Sequence, residues 1–564
     1  MKTSSRLDCI IIGYHDLPFG DYAESQKKME GFSGAYRDIK HNSVRLHGER
    51  ITYMQLLNDA VIGATGINPQ LNAFEVPSLG VTYLVSYLRH RGFNVDFVSF
   101  FNYHKQALSE MLAESPLAVA ITTTYYVDAL PLIPIVEYIR AHCPSTKIIV
   151  GGPHIYNVCS QYTMTGQPDI KAQNYLLRTI GADIYIFDSQ GEHTLSLTLA
   201  ALREGRERDL DHIPNLIYTL DQRTLIRTSR VPEQNHLDDD AVDWSLLRDE
   251  SLIFSFPVFL RASRSCPFSC AFCNFPSMAG KHVTSGLESM ERQFRFLHEQ
   301  GIKHILFIDD TFNVPLPRFK DLLRLMIRNR YNFDWISFFR CSNADDETFD
   351  LMKQSGCMSV FLGIESGAQE LLNNMNKFAD IKKYKAGIRG LNERGIATYA
   401  SFIIGFPGET RDTVQRTVEF IEETKPVLFN VQMYFHDTRT PIHKQAARYS
   451  ITGAGYCWKH ATMDWQEAAD WTDYSFATVR NSVPTTIYGF SIWVLPYLVS
   501  RGFTFEQVRQ FLVIAREMLV ESLDDRNNTF DDQKTRLTSL LRDIPLVGAR
   551  PHIESPNEAL AAGW

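Results

Sequence analysis

Between residues 77 and 204 short apolar runs alternate with amphipathic segments, and from residue 258 the alternation resumes with a new period. A chain patterned in this way folds into parallel sheets covered by helices, because each helix carries the chain back to start a strand in the same direction. "PSLGVTYLVSYLRHRG" reads as a helix with Pro77 near its start and Gly92 at its end. "NVDFVSF", "LAVAITTTYY", "KIIVGGPH" and "GADIYIFD" read as strands, and "HKQALSEMLAE", "ALPLIPIVEYIRAHC" and "EHTLSLTLAALREG" as the helices between them. "LDCIIIG" gives a first strand, and residues 14–75 interrupt the pattern as an insertion without a clear assignment.

The first alternating region, residues 1–205, is therefore expected to be a doubly wound parallel sheet of the flavodoxin-like kind. Such sheets bind ligands beyond the carboxyl ends of their strands. Those ends carry Gly13, Thr122, Thr123, Thr124, Gly151, Gly152, Pro153, His154, Gly191 and Glu192. Neither the dinucleotide fingerprint G-x-G-x-x-G nor the phosphate loop G-x4-G-K-[ST] occurs. Residues 206–255 read as a hairpin and linker.

In the second region, residues 256–440, the strands are "VFLRASR", "HILFIDD", "WISFFR", "SVFLGIES", "TYASFIIGF" and "VLFNVQMYFH". Six strand–helix units suggest a partial (β/α)6 barrel, whose chemistry belongs at the C-terminal ends of its strands. Ser285 and Glu288 stand at capping-box spacing ahead of one of its helices. Residues 441–564 turn mainly helical. Their apolar stretch "YGFSIWVLPYLVS" contains a proline and is too short to span a bilayer, so a buried helix is expected.

The loop after the barrel's first strand reads "RSCPFSCAFCNFP", with Cys266, Cys270 and Cys273 at C-x3-C-x2-C spacing. The chain holds only nine cysteines in 564 residues, an odd and otherwise scattered set that does not form a secreted disulfide framework. A reducing cytoplasm is the expected setting. A structural zinc site closes with four ligands, and nothing within this loop completes three cysteines to four. A C-x2-C redox pair would leave Cys266 idle. A 4Fe–4S cluster held by three thiolates, with one iron open, fits the spacing better. Cys341 and Cys357 read as buried thiols.

The loop, with Phe272 before its last cysteine, resembles the signature of the radical S-adenosylmethionine superfamily. The resemblance implies that the open iron chelates S-adenosylmethionine and that the reduced cluster cleaves it to a 5′-deoxyadenosyl radical. It further implies cofactor contacts at Asp309, Asp310 and Arg340 near the methionine end, Glu365 and Ser366 near the ribose, and Gly405 in "GFPGET" near the adenine. With the preceding sheet, "VAITTTYY", "VGGPH" and "GADIYIFDSQGE", the chain resembles the cobalamin-binding branch. That likeness implies base-off cobalamin along the strand-end glycines, since D-x-H-x-x-G is absent. "IIGYHDLPFG", "SGAYRDIKHNSVRLHGERITYMQLLN", "GYCWKHATMDWQEA" and "YGFSIWVLPYL" resemble the group of phosphinothricin-pathway P-methyltransferases.

The implied activity is methyl transfer through methylcobalamin to an unactivated carbon or phosphinate phosphorus of a small natural-product or peptide substrate. Rearrangement, cyclisation or epimerisation without methylation is the alternative. Tyr434 and His436, at the end of the sixth strand, are candidate catalytic residues. An electron donor such as flavodoxin or ferredoxin is the implied partner. A net charge of −8 gives no polyanion-binding surface, so neither nucleic acid nor membrane is an expected partner.

Overall fold

A computed structural model describes residues 6–160, 168–526 and 528–547. Strands β1 (Cys9–Tyr14), β2 (Val95–Phe100), β3 (Ala118–Thr122), β4 (Lys147–Gly151) and β5 (Ile184–Ile186) form a parallel sheet in spatial order 2-1-3-4-5. That is the flavodoxin-like order. The hairpin β6 (Leu216–Tyr218) and β7 (Ile226–Arg227) extends the same sheet antiparallel beyond β5. The segment expected as linker thus starts as part of the first sheet.

Alternate residues of β1 serve two cores. Ile10 and Ile12 pack with Leu108, Ile135 and Ile139 of the outer helices. Cys9 and Ile11 face Val81, Val85 and Leu199 in a core that runs on without a break into the barrel. One helix, Leu79–His90, sits at that junction: Ser78 caps it, and its buried face includes Val81, Tyr83, Val85 and Leu88. A shared apolar core fixes the sheet's edge relative to the barrel mouth, since sliding either body would expose it to water.

The barrel strands are β8 (Val258–Leu260), β9 (His304–Phe307), β10 (Asp334–Phe338), β11 (Cys357–Glu365), β12 (Ala397–Ile404) and β13 (Leu428–Met433), parallel and in sequential order. A seventh short strand, β14 (Val483–Pro484), comes from the C-terminal region and pairs parallel to β13. The expected capping box is not formed. Helix Leu287–Glu299 starts at Gly286, whose N–H donates to the Asp238 carboxylate at 2.9 Å, while Ser285 lies one residue outside. A linker carboxylate does the capping instead.

The insertion pairs with the far end of the chain. Helix Tyr53–Thr65 has a Thr52–Gln55 capping box, and Tyr53 packs edge-on against Phe490 and Phe511. Asp525 gathers Arg50 (2.6 Å), Arg45 (3.3 Å) and Lys40 (3.4 Å), and Asp473 binds Arg37 and His41, each at 2.6 Å. The apolar stretch near residue 490 forms helix Val494–Ser500, buried as expected from Val494 to Leu498. Among the described residues no helix is long and apolar enough to cross a membrane.

Candidate active site

The three cysteines lie on the loop that follows a short strand, Ser263–Arg264, just beyond β8. Cys270 is buried, and Cys266 and Cys273 are half-buried. The loop is tied at Ala271, whose N–H donates to the Met375 carbonyl (2.8 Å) and whose carbonyl accepts from Ile442 N–H (2.9 Å). Burial pushes the Cys273 thiol up to about 11, and its cysteine neighbours add to this. Burial also raises Cys270, where Lys377 opposes it. The thiols thus influence one another's ionisation. Yet among the described residues no three His, Cys, Asp or Glu side chains converge as one metal ion requires. Three thiols on one loop suit a multi-iron group that takes one thiolate per iron better than a structural zinc site, which closes with four ligands.

Glu365 sits at φ +69° just past a register shift in β11, and its Oε1 meets Lys377 Nζ at 2.7 Å. Lys377 also lies over the Phe272 ring, 5.4 Å from its centre. Arg340 stacks on Phe268 at 3.8 Å and donates to the carbonyls of Lys377 and Phe378. Two cations therefore flank the cysteine loop, and at Cys270 both work against the burial that raises its thiol. Arg340 was legible in the sequence. Lys377 was not, because it belongs to no spacing pattern and reaches the loop only through the fold.

The other expected contacts divide into two sets. Asp309 is fully buried and accepts from Ala262 N–H at 3.0 Å, so it braces the backbone. Asp310 lines an open cavity and is itself exposed there; desolvation, then Asp309, raise its carboxyl. Ser366 accepts from Ala368 N–H (3.1 Å) and lies against Thr417. Gly405 has φ +95°, and a Cβ there would come within 2.6 Å of Trp458 and 2.8 Å of Ala468. Its side-chain space is thus taken by the C-terminal region. Glu409 follows in the same turn, fully buried, one oxygen accepting from Gly405 N–H and the other without a partner among the described residues.

The cavity, about 300 Å³, lies between the carboxyl ends of β3, β4 and β5 and the barrel mouth. Thr122, Thr124, Gly151, Gly152, Pro153, Gly191 and Glu192 line it from the sheet; Arg261, Arg264, Ser265, Met278 and Asp310 line it from the barrel. Its size is at the lower end for cofactor pockets. Glycine is obligatory at two lining positions: Gly152 (φ +107°) would place a Cβ 2.9 Å from Thr123 Oγ1, and Gly191 (φ +77°) one 3.0 Å from Ile186. Thr123 itself is structural, donating to the Gly151 carbonyl and accepting from His154 N–H. Gly13 stands apart from the cavity, where its missing side chain lets β1 approach Ser99. Burial, then Glu233, raise the Glu192 carboxyl to about 7, while Arg261 and Arg264 oppose this. The two arginines carry no recognisable motif and were missed as lining residues.

Tyr434, His436 and His443 form a chain. The Tyr434 hydroxyl is 2.9 Å from His436 Nδ1, and His436 Nε2 is 3.1 Å from His443 Nδ1. Tyr434 and His436 are buried and His443 is exposed, so the chain leads from the interior to solvent. Burial first, then His443, hold the His436 imidazole down at about 4, neutral at physiological pH. His154 begins helix Pro153–Cys159 with Nε2 buried and unpartnered among the described residues, outside the cavity lining.

Residues 260–421 match the family described as the radical SAM superfamily. An uncharacterized methyltransferase of Pyrococcus horikoshii is 27% identical over 64% of this chain and 74% of its own length. An uncharacterized methyltransferase of Synechocystis is 31% identical over 51% of this chain, and the anaerobic magnesium-protoporphyrin IX monomethyl ester cyclase of Rubrivivax gelatinosus 26% over 44%. The chain spans about half the length of these last two relatives, 49% and 46%. The radical S-adenosylmethionine methyltransferase TsrM from Kitasatospora setae, solved with cobalamin and a [4Fe-4S] cluster, superposes with TM-score 0.58 over 83% of this chain and 96% of its own, at 17% identity. The cobalamin-dependent S-adenosylmethionine radical enzyme OxsB superposes with TM-score 0.56 over 84% and 83%, at 13% identity. Residues 260–421 are thus a radical SAM domain, and the chain has the fold of the solved cobalamin-dependent radical SAM enzymes.

Proposed function

We propose that this enzyme is a cobalamin-dependent methyltransferase that carries a methyl group to an unactivated carbon or phosphinate phosphorus of a small-molecule or peptide substrate. One observation carries the reading. A three-cysteine loop and a glycine-edged cavity stand side by side, joined by one apolar core, so two cofactors can act on one substrate. Cys266, Cys270 and Cys273 would hold the 4Fe–4S cluster, with S-adenosylmethionine on its open iron. Gly151, Gly152 and Gly191 would let a flat corrin approach the strand ends, with Thr122, Thr124 and Gln190 offering hydrogen bonds to its amide rim. When bound, these groups supply a carbon-centred radical and a transferable methyl.

The protein's part is placement and exclusion of water. Lys377 and Arg340 keep positive charge beside the thiolates. The insertion and the C-terminal helices knit together through Asp525 and Asp473 into a single unit. Tyr434 and His436 are rigidly oriented by each other, and the exposed His443 lets their protons exchange with solvent. The relatives named as methyltransferases support methylation, and the cyclase relative keeps a non-methylating radical reaction as the second reading.

The test is an anaerobic assay of reconstituted enzyme with candidate substrates, following 5′-deoxyadenosine, S-adenosylhomocysteine and product mass. Methylation predicts all three, with a product heavier by one methyl group. Deoxyadenosine with a product of unchanged carbon count selects the second reading. Cys270→Ala abolishes deoxyadenosine formation under either.

A further inference from the structure

One face of the barrel strands carries polar groups that the fold leaves unused. Side chains two residues apart on a strand share a face, and the register sets that face in layers. Phe361, Tyr399 and Leu428 stand level on β11, β12 and β13. The next layer toward the mouth is Gly363, Ser401 and Asn430, and above it Ile403 is level with Gln432. Phe361, Gly363, Ile403 and Gln432 are half-buried, whereas the alternate residues Leu362, Phe402 and Val431 are buried. Phe402 packs on Phe420 of the outer helix Arg411–Thr424, so the half-buried set faces the barrel's interior. None of these residues lines the cavity at the sheet edge.

Asn430 stands out on this face. It is 2% exposed, yet neither Oδ1 nor Nδ2 has a partner among the described residues. Buried polar atoms are almost always hydrogen-bonded, so an amide unpaired at both ends points to a ligand that pairs it. Beneath it lies an aromatic floor. The Phe361 ring is 4.9 Å from Tyr399 and 5.1 Å from Phe338, and Phe338 is 5.1 Å from Trp493. On the other flank Glu365 and Lys377 lie over Gly363, where a Cβ would meet Glu365 Oε1 at 2.5 Å and Lys377 Nζ at 3.1 Å. That ion pair abuts the cysteine loop at Phe272, and Asn430 is two strand spacings, about 10 Å, from Gly363.

A carboxamide offers a donor and an acceptor in one plane. A second amide pairs both at once, whereas an anion satisfies Nδ2 and leaves Oδ1 facing negative charge. These three layers hold no charged side chain, and Lys377 is already matched by Glu365. We propose that Asn430, with Ser401 and Gln432 beside it, binds a carboxamide or peptide group of the substrate and seats the adjoining apolar part on the Phe361–Trp493 floor. The proposal rests on the methyl-transfer reading above and, within it, selects a peptide or other amide over a phosphinate.

The experiment titrates reconstituted enzyme, with S-adenosylmethionine bound and no reductant, by ligand-observed NMR. The probes are 3-phenylpropanamide, 3-phenylpropanoate and 3-phenylpropylphosphinate, three head groups on one aromatic flank. The variants are Asn430→Leu, close in shape and apolar, and the milder Ser401→Ala. The amide is expected to bind wild type at least about tenfold tighter than either anion and to lose about tenfold or more in Asn430→Leu. S-adenosylmethionine affinity and iron content stay unchanged. Asn430→Leu should melt no lower than wild type, because it removes polar atoms that the fold leaves unpaired. Amide binding that is absent from wild type, no tighter than that of the phosphinate, or unchanged in Asn430→Leu overturns the proposal. Should Asn430→Leu melt lower or fail to fold, Ser401→Ala decides: weakened amide binding supports the site and unchanged binding overturns it. Methyl transfer is tested by product mass, which this titration does not use, so either reading can fail while the other stands.

Discussion

Lys377 Nζ and Glu365 Oε1 lie 2.7 Å apart in a buried ion pair against the ring of Phe272, within the signature loop. Burial alone would favour a neutral lysine, and the Glu365 carboxylate outweighs it and keeps the ammonium charged. Removing one partner leaves the other charge buried. Glu365→Ala is therefore expected to cost roughly 3 kcal/mol or more in urea unfolding. The double variant E365L/K377M, which removes both charges, should recover much of that stability while still weakening S-adenosylmethionine binding. Full retention of binding would show that the pair only braces the fold.

The glycines at the cavity edge give a second prediction. Gly152→Ala puts a methyl 2.9 Å from Thr123 Oγ1 at φ +107°, and is expected to cost about 1–3 kcal/mol and to lower corrin uptake in equilibrium dialysis. Gly205→Ala is the control. Its φ of +67° is also left-handed, but no atom lies within 4 Å of the added methyl. It should lose some stability and bind corrin normally.

Two buried groups titrate with opposite consequences. The Glu409 carboxyl is raised to about 8 by burial, against its bonds from Gly405 and Phe406. The unfolded chain releases that proton first, so this group's contribution falls as pH rises from about 4.5 to 8. Glu409→Gln is expected to match wild type near pH 5 and to be more stable at pH 9, by about 3–5 kcal/mol at most. His436, held down at about 4, works the other way. The unfolded chain binds the extra proton between about 6.5 and 4, so the contribution is complete above that window and is lost as pH falls through it. His436→Gln should flatten the acid side of the stability profile. Urea midpoints across pH measure both.

Asp525 faces Arg50, Arg45 and Lys40 from the insertion, and Tyr36 donates to it at 3.1 Å. Burial acts to raise it and these partners overcome that, bringing the carboxyl down to about 2. Asp525→Ala strands three cations, and a loss of about 3 kcal/mol is expected. Limited proteolysis should then cut within residues 14–75 sooner than in wild type. Unchanged cleavage would mean that the apolar contacts of Tyr53 hold the insertion without the ionic cluster.

The sequence by itself determined the two parallel sheets, their order along the chain and the three-cysteine loop. Those features are local: strand and helix periods repeat within a few residues, and C-x3-C-x2-C lies on one loop. The expected sheet-edge residues split once the fold was known. Thr122, Gly151, Gly152, Gly191 and Glu192 reach the cavity, whereas Gly13 and Thr123 serve packing and His154 lies outside. Period and spacing tell which strand end a residue occupies, but its direction depends on what the neighbouring strand places opposite.

Only the tertiary structure decided the rest. Lys377 reaches Phe272 from more than a hundred residues away in sequence, because Met375 and Asn376 bind the cysteine loop. The insertion had no pattern of its own because half of its core, Phe490 and Phe511, lies at the other end of the chain. Glu365–Lys377, Asp525–Arg50 and the Tyr434–His436–His443 chain are pairings across distance, set by the apolar core that brings their backbones together. Such contacts leave no periodic trace in a single sequence, since each partner looks locally like an ordinary polar residue.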